Sequence, residues 1–199
     1  MAKKILAVLA ALILGFVAFV ATRPAQFVIS RKVAVAAGPE IAFSLVNDFH
    51  QWKAWSPWEK LDPKMTTTFE GPASGPGASY GWKGNDQVGE GRMTILQSKP
   101  DQQLTIKLEF LKPFEATNTT TFLFAAAPPG TEVTWKLEGK NNFLAKAASV
   151  FMNMDAMIGK DFELGLANLK ALAEAAPRQP AAPAPAPAEP MAAPADAGP

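Results

Sequence analysis

The sequence predicts an α+β domain: a curved antiparallel sheet of about seven strands wrapped around one long C-terminal helix, with two short helices after the first strand. Three observations lead there. Between residues 65 and 138, short alternating segments are separated by glycine- and proline-rich turns. Over residues 143–176 apolar side chains recur instead at three- and four-residue steps, with no proline inside the run before Pro177. One more alternating segment and two helical signals stand ahead of the strands.

The first element is of another kind. Lys3 and Lys4 precede residues 5–21, which carry neither a charge nor a strongly polar group. As a helix they reach roughly 25 Å, slightly short of a ~30 Å hydrocarbon core. The stretch is longer than the usual apolar core of a signal peptide, and its exit is poor for cleavage. A cut after Ala21 puts Phe19 where a small residue is wanted, and a cut after Ala25 puts Arg23 there. We therefore read residues 1–26 as an uncleaved transmembrane anchor, with a removed signal peptide as the alternative. Lys3, Lys4 and the amino terminus favour an exported domain on the periplasmic side of a single-pass protein. Arg23, Arg31 and Lys32 nearly balance them, so the cytoplasmic side stays open.

The domain itself spans residues 27–176. Residues 27–36 alternate imperfectly as a first strand. Gly38-Pro39-Glu40 then opens a helix, proline suiting its first turn and glutamate its positive end. Ile41, Phe43, Leu45 and Val46 give it a buried side as far as Asn47 and Asp48. A second short helix over 50–55 stops before Pro57. Strands follow at 65–70, 79–83, 89–98, 103–111, 116–125 and 131–138. Their punctuation is the 71–77 turn, the Gly84-Asn85-Asp86 hairpin signal, Pro100-Asp101, Pro113 and Pro128-Pro129-Gly130. The long helix carries Leu144, Ala147, Val150, Phe151, Met154, Ile158, Phe162, Gly165, Leu166, Leu169 and Leu172 on one stripe, with Met152, Met154 and Met157 as core filler. The last 24 residues hold 8 Pro and 10 Ala, a composition that forms no packed core and samples extended polyproline. Residues 177–199 are thus expected to be a disordered, solvated tail, or a tether touching an envelope partner.

Charge and composition remove several functions. The net charge is +1, and residues 27–174 hold 15 Lys and Arg against 16 Asp and Glu with no basic run, so a nucleic-acid surface is not expected. There is no cysteine and a single histidine, His50, which leaves no thiolate chemistry and no multi-histidine metal centre. No metal and no cofactor are expected. Strand alternation puts Met93, Ile95, Leu104, Ile106, Leu108, Phe110, Phe122, Phe124, Val133, Trp135 and Leu137 on one face. Glu90, Arg92, Lys107, Glu109, Glu132, Lys136 and Glu138 fall on the other. Acid–base catalysis needs titratable groups facing a pocket. The inward side offers only Thr67, Tyr80, Asn118, Thr120 and His50, enough to orient a ligand and too few for a triad or dyad. His50 and Tyr80 are the candidates for proton transfer, with a capping or surface role the simpler reading of His50. Trp52, Trp55 and Trp58 suit either a pocket lip or, by preference, core packing. The Gly75-x-Gly77 and Gly89-x-Gly91 pairs read as turn and bulge glycines, not phosphate loops.

Several motifs taken together resemble one family. They are Trp52-x-x-Trp55-x-Pro57-Trp58 with Asp62-Pro63, then Tyr80-Gly81-Trp82-x-Gly84-Asn85 and Gly89-Glu90-Gly91-x-Met93-x-Ile95. The closing helix adds Met154-Asp155, Gly159-x-Asp161-Phe162-Glu163 and Gly165-Leu166-x-x-Leu169-Lys170. Over residues 27–174 the chain resembles the START-like, helix-grip superfamily, also called SRPBCC or polyketide cyclase/dehydrase-like. The resemblance implies a cavity between sheet and long helix, in a family that includes lipid and sterol carriers, aromatic cyclases and chaperone ATPase activators. It supplies no catalytic residues that transfer to this chain.

The expected function is a membrane-anchored, non-enzymatic binding domain for a lipid or other hydrophobic small molecule. Its expected contacts are Trp82, Met93, Ile95, Ile106, Leu108, Phe110, Phe122, Phe124, Val133, Trp135, Met154, Ile158 and Phe162. One alternative is a cyclase or hydrolase acting on an aromatic or polyketide-like compound, with His50 or Tyr80 moving the proton. The other is a protein-interaction or chaperone-type module whose core is filled by its own side chains.

Overall fold

The computed structural model describes residues 1–176, so the expected disordered tail lies outside the described residues. The chain opens with α1 (Ala2–Thr22), a helix long and apolar enough to cross a membrane, whose side chains are exposed except for Val20. It passes into β1 (Gln26–Val35) and then α2 (Pro39–Asn47), with Pro39 in its first turn. A 3₁₀ turn (Phe49–Gln51), α3 (Trp52–Trp55) and a second 3₁₀ turn (Pro57–Lys60) follow. Six strands form a meander: β2 (Thr66–Glu70), β3 (Ser79–Lys83), β4 (Glu90–Lys99), β5 (Gln103–Lys112), β6 (Ala116–Ala127) and β7 (Gly130–Lys140). Helices α4 (Phe143–Ala148) and α5 (Met154–Ala175) close the chain.

All seven strands pair antiparallel in the order β1-β7-β6-β5-β4-β3-β2. β1 therefore returns beside β7, and the sheet has two distinct ends. At one end lie the α2–α3 segment, the β4–β5 and β6–β7 turns and the last turns of α5. There Lys170 Nζ donates to the Ala34 carbonyl (2.7 Å) and Glu174 accepts the Ala36 N–H (2.7 Å). At the other end lie the exit of α1, the β3–β4 and β5–β6 turns, α4 and the start of α5. The inward side chains of α2, α3 and α5 meet the inward face of the sheet in one core, in which Val35, Val46, Leu104, Ile106, Phe122, Val133 and Leu169 are fully buried. Gly165 lets α5 approach closely: a Cβ there would stand 2.8 Å from Trp135 Cζ3.

The single long helix expected over 143–176 is two helices, and the stripe expected to face the sheet does so only from Ile158 onward. Two asparagines explain the break. Asn142 Oδ1 accepts the Ala145 N–H (2.8 Å), and Asn153 Oδ1 accepts the Ala156 N–H (3.0 Å). Each side chain satisfies an otherwise orphaned donor, so a second helix starts at Met154 without a proline to end the first. In consequence Leu144 and Phe151 are exposed, and Met152, Met154 and Met157 point outward instead of filling the core.

Candidate functional site

The inward face of the sheet is a set of cross-strand rows fixed by register. The row Leu104, Phe122, Trp135 and Arg31 lies under α5. Its centre is closed by aromatic packing. The Trp135 ring stacks on Phe162 at 4.1 Å and 8°, and on Phe122 at 4.8 Å and 29°. Trp55 and Trp52 meet it edge-on at 5.5 and 6.3 Å. The two are held by indole N–H bonds to the Leu45 and Val46 carbonyls. Trp52 and Trp55 are thus core residues, as preferred from the sequence. Trp58, only half-buried, sits at the core's margin, edge-on to Trp135 (5.7 Å) and Phe162 (6.3 Å). Trp135 Nε1 is buried with no hydrogen-bond partner among the described residues. An orphaned donor of this kind costs about 1–3 kcal/mol.

Towards the α1 end the packing thins. The next rows are Ile95, Ile106, Thr120, Leu137 and Ile29, then Tyr80, Met93, Leu108 and Asn118, then Trp82, Gly91, Phe110 and Ala116. Gly91 leaves room for the Trp82 indole, which turns its edge to Phe110 at 5.8 Å and donates its N–H to the Val88 carbonyl (3.0 Å). Trp82, Leu108, Phe110, Ile158 and Trp58 face inward yet remain half-buried. Asn118 and Thr120 are buried polar groups on the same face, and Gly139 is the residue that gives Asn118 its space. We call this half-buried apolar and aromatic stretch, with its two hydrogen-bonding side chains, the mouth.

The site residues read from the sequence therefore divide. Ile95, Ile106, Phe122, Phe124, Val133, Trp135 and Phe162 belong to the packed interior, and Met93 is 8% exposed beside it. Trp82, Leu108, Phe110 and Ile158 line the mouth. Met154 stands outside it, exposed on the first turn of α5. Thr67 pairs with Trp82 and so shares the inward face, but on the edge strand β2 it is exposed.

His50 and Tyr80 do not come together as a catalytic pair. Tyr80 is buried, and its hydroxyl donates to Glu59 Oε1 at 2.6 Å. Burial first, and the neighbouring carboxylate second, push its pKa upward, so it stays protonated. His50 is at the surface, stacked on Phe69 at 4.1 Å, with Asp48 Oδ1 accepting its backbone N–H and lying 2.8 Å from its Nδ1. Burial works against ionising Asp48, but these bonds outweigh it and hold the carboxyl below the usual range. A cleft of about 290 Å³ opens beside His50, lined also by Phe49, Phe69, Pro72 and Ser79. The Ser79 hydroxyl is engaged by the Met93 carbonyl (3.1 Å) and the Thr94 hydroxyl (3.3 Å) and so is not aimed at His50. Among the described residues no three His, Asp or Glu side chains converge as a metal site.

Arg31 was not singled out in the sequence. It lies on the inward row opposite Trp135 and reaches the start of α5, pairing with Asp155 (3.0 Å) and Glu163 (2.8 Å). Its guanidinium occupies the place of a Cβ at Gly159. The Arg31 bond first, and its charge, hold the Asp155 carboxyl below its ordinary range. This clamp sets α5 against β1 and so fixes one wall of the mouth. A charged residue at an inward strand position, with a glycine on the facing helix, was the available signal.

Comparison with known proteins places the fold. No curated protein matches the chain. Among solved structures, the chain is similar to the di-domain ARO/CYC BexL from the BE-7585A biosynthetic pathway. The identity is 16% and the TM-score 0.58, covering 79% of this chain and 53% of that one. It is also similar to protein CV1439 from Chromobacterium violaceum (14% identity, TM-score 0.55, 74% and 96% covered). The Aha1 dimer from Colwellia psychrerythraea is a third (15%, 0.54, 75% and 97%). At such identities the likeness is one of fold, the helix-grip arrangement of an antiparallel sheet and a C-terminal helix. The family model for polyketide cyclase / dehydrase and lipid transport matches residues 26–174, three quarters of the sequence, and the chain belongs to that family.

Proposed function

We propose that this protein is a membrane-anchored binder of a hydrophobic small molecule or lipid, without catalytic activity, whose ligand sits in the open mouth and not in the packed interior. One observation carries the reading: Trp58, Trp82, Leu108, Phe110 and Ile158 face inward but are left half-buried by the protein's own side chains. An apolar ligand would complete that burial, each methylene contributing about 0.8 kcal/mol before ordering costs. Asn118 and Thr120 offer polar contacts to a ligand's oxygen. The family's description includes lipid transport, and the apolar α1 supports tethering, with residues 1–26 as anchor and residues 27–176 as the binding domain. Among the described residues Tyr80 is tied to Glu59, Ser79 to backbone, and His50 stands outside the mouth, which favours binding over turnover. The Lys3–Lys4 start favours the exported side for the domain, and an envelope component remains the proposed partner of the Pro-rich segment.

Native mass spectrometry of the full chain, with organic extraction of what co-purifies, tests the proposal. We expect a bound hydrophobic species that is lost in Leu108→Glu, a variant that keeps α1. A species retained equally in both proteins reports lipid on α1 and contradicts the mouth as a site. A second reading, a protein-interaction module with a filled core, is favoured by the Trp135 stack. It predicts no species that Leu108→Glu removes.

A further inference from the structure

The apolar surface at the open end extends beyond the mouth. Phe143, Leu144, Phe151 and Met152, in and just after α4, are exposed, Phe151 to 79%. Phe114, on the β5–β6 turn at the same end of the sheet, is 68% exposed. Between residues 141 and 154 there is no acidic residue, and Lys146 is the one charge. Such a surface is costly to leave in water and unusual without a partner.

The position of the corner relative to α1 identifies the partner. Phe151 stacks on Phe16 with ring centroids 6.0 Å apart, and Lys146 Nζ donates to the Ala21 carbonyl at 3.4 Å. From Phe16 to the end of α1 at Thr22 a helix rises about 9 Å. Phe151 therefore lies level with side chains well inside the apolar stretch of α1, while Lys146 lies at its exit, near Arg23, which sits over the Phe19 ring. An aromatic ring at acyl depth with cations at headgroup level is the layering of an interfacial segment.

We propose that the α4–α5 corner is a second membrane contact: it docks on the bilayer that holds α1, with Phe151 at acyl depth and Lys146 among the headgroups. The proposal rests on the reading of α1 as a membrane span. Because α5 begins at this corner and Ile158 lines the mouth one turn later, docking places the mouth against lipid. A hydrophobic ligand then passes between bilayer and mouth without crossing water.

The absence of cysteine makes the test direct. Phe16→Cys, Phe151→Cys and Ala125→Cys, each in the full chain, are labelled with an environment-sensitive fluorophore. They are reconstituted in phosphatidylcholine–phosphatidylglycerol vesicles at high lipid-to-protein ratio. We expect spin-labelled lipids to quench the labels at 16 and 151 alike, and aqueous iodide to quench the label at 151 several-fold less than the one at 125. Met152→Cys, one residue on and half exposed, should behave as Phe151→Cys does. If the label at 151 is quenched by iodide like that at 125 while the label at 16 remains lipid-quenched, the docking corner is wrong and the anchor stands. If the label at 16 is also open to iodide, the anchor reading fails and takes the docking proposal with it. Shielding at 151 from both quenchers that disappears on further dilution into lipid assigns the corner to a second copy of the chain, which overturns the proposal.

Discussion

The two ends of the domain are built from the same sheet and the same helix, yet one is closed and the other is open. At the α2–α3 end most inward apolar side chains are fully buried, with Val33, Ile41, Leu45 and Leu172 half-buried against them. Phe43 meets Phe124 edge-on at 5.5 Å, Val133 and Leu169 are fully buried, and backbone groups of Ala34 and Ala36 are tied to Lys170 and Glu174. At the α1 end Trp82, Leu108, Phe110 and Ile158 face inward and stay half-buried, and beyond them Phe114 and Phe151 face outward. Folding needs the closed end, where apolar area is removed from water completely. The half-buried groups at the open end remove less area from water, and their exposed apolar surface is what a ligand or a lipid can cover.

Four changes separate the two ends, from the largest effect to the smallest. Trp135→Ala removes the ring between Phe122 and Phe162 and should cost about 3–5 kcal/mol in denaturant unfolding. A loss below about 1 kcal/mol would mean that the interior is not packed as described. Gly165→Leu drives a side chain into the Trp135 ring and should cost about 1–3 kcal/mol by the same measurement. Leu108→Ala, at the open end, should cost only about 1 kcal/mol of stability because the side chain is already half in water, while weakening ligand retention. A stability loss equal to that of Trp135→Ala would erase the distinction between the ends. His50→Ala should shift stability by no more than about 0.5 kcal/mol and leave ligand retention unchanged, since His50 is exposed and outside the mouth.

Acid should act on the contacts that hold α5 to β1. The Asp155 carboxyl is held low first by its hydrogen bond from Arg31, and that of Glu174 first by Lys170 and then by the Ala36 N–H. A carboxyl whose pKa is lowered on folding adds stability that is fully present above its ordinary range and is lost as pH falls through the lowered value. Thermal melts should therefore fall between mildly acidic pH and pH ~3. They should fall less steeply in Arg31→Met, where Asp155 no longer has its partner. The carboxylates are solvent-exposed, so the effect is modest. Equal slopes for both proteins would remove the clamp from the account.

Much of the fold was legible in the sequence because its signals are local. The strand expected over 89–98 is Glu90–Lys99, and that over 103–111 is Gln103–Lys112, since alternation and glycine or proline turns mark both ends. The break between α4 and α5 was not legible from periodicity, which runs unbroken across it. Asn153 followed by Asp155 was its sign, an N-cap with an acid in the first turn. The 3₁₀ turn over Pro57–Lys60 was missed for the same local reason, being too short to show a period. Arg31 was obscured because its partners lie 124 and 132 residues away. The filled interior was the least legible feature. It depends on Trp52 and Trp55 from one short segment and Phe162 from another meeting Trp135, and no residue spacing encodes the volume that remains.

Photolabelling of the full chain with a diazirine-bearing fatty acid in detergent micelles, with adducts mapped by peptide mass spectrometry, tests the division into a closed and an open end most directly. Adducts are expected on Trp82, Leu108, Phe110 and Ile158, none on Phe124, Val133 or Leu169, with loss of the mouth adducts in Leu108→Glu. Adducts confined to the outer faces of α1 and α4, with the mouth unlabelled, would contradict it.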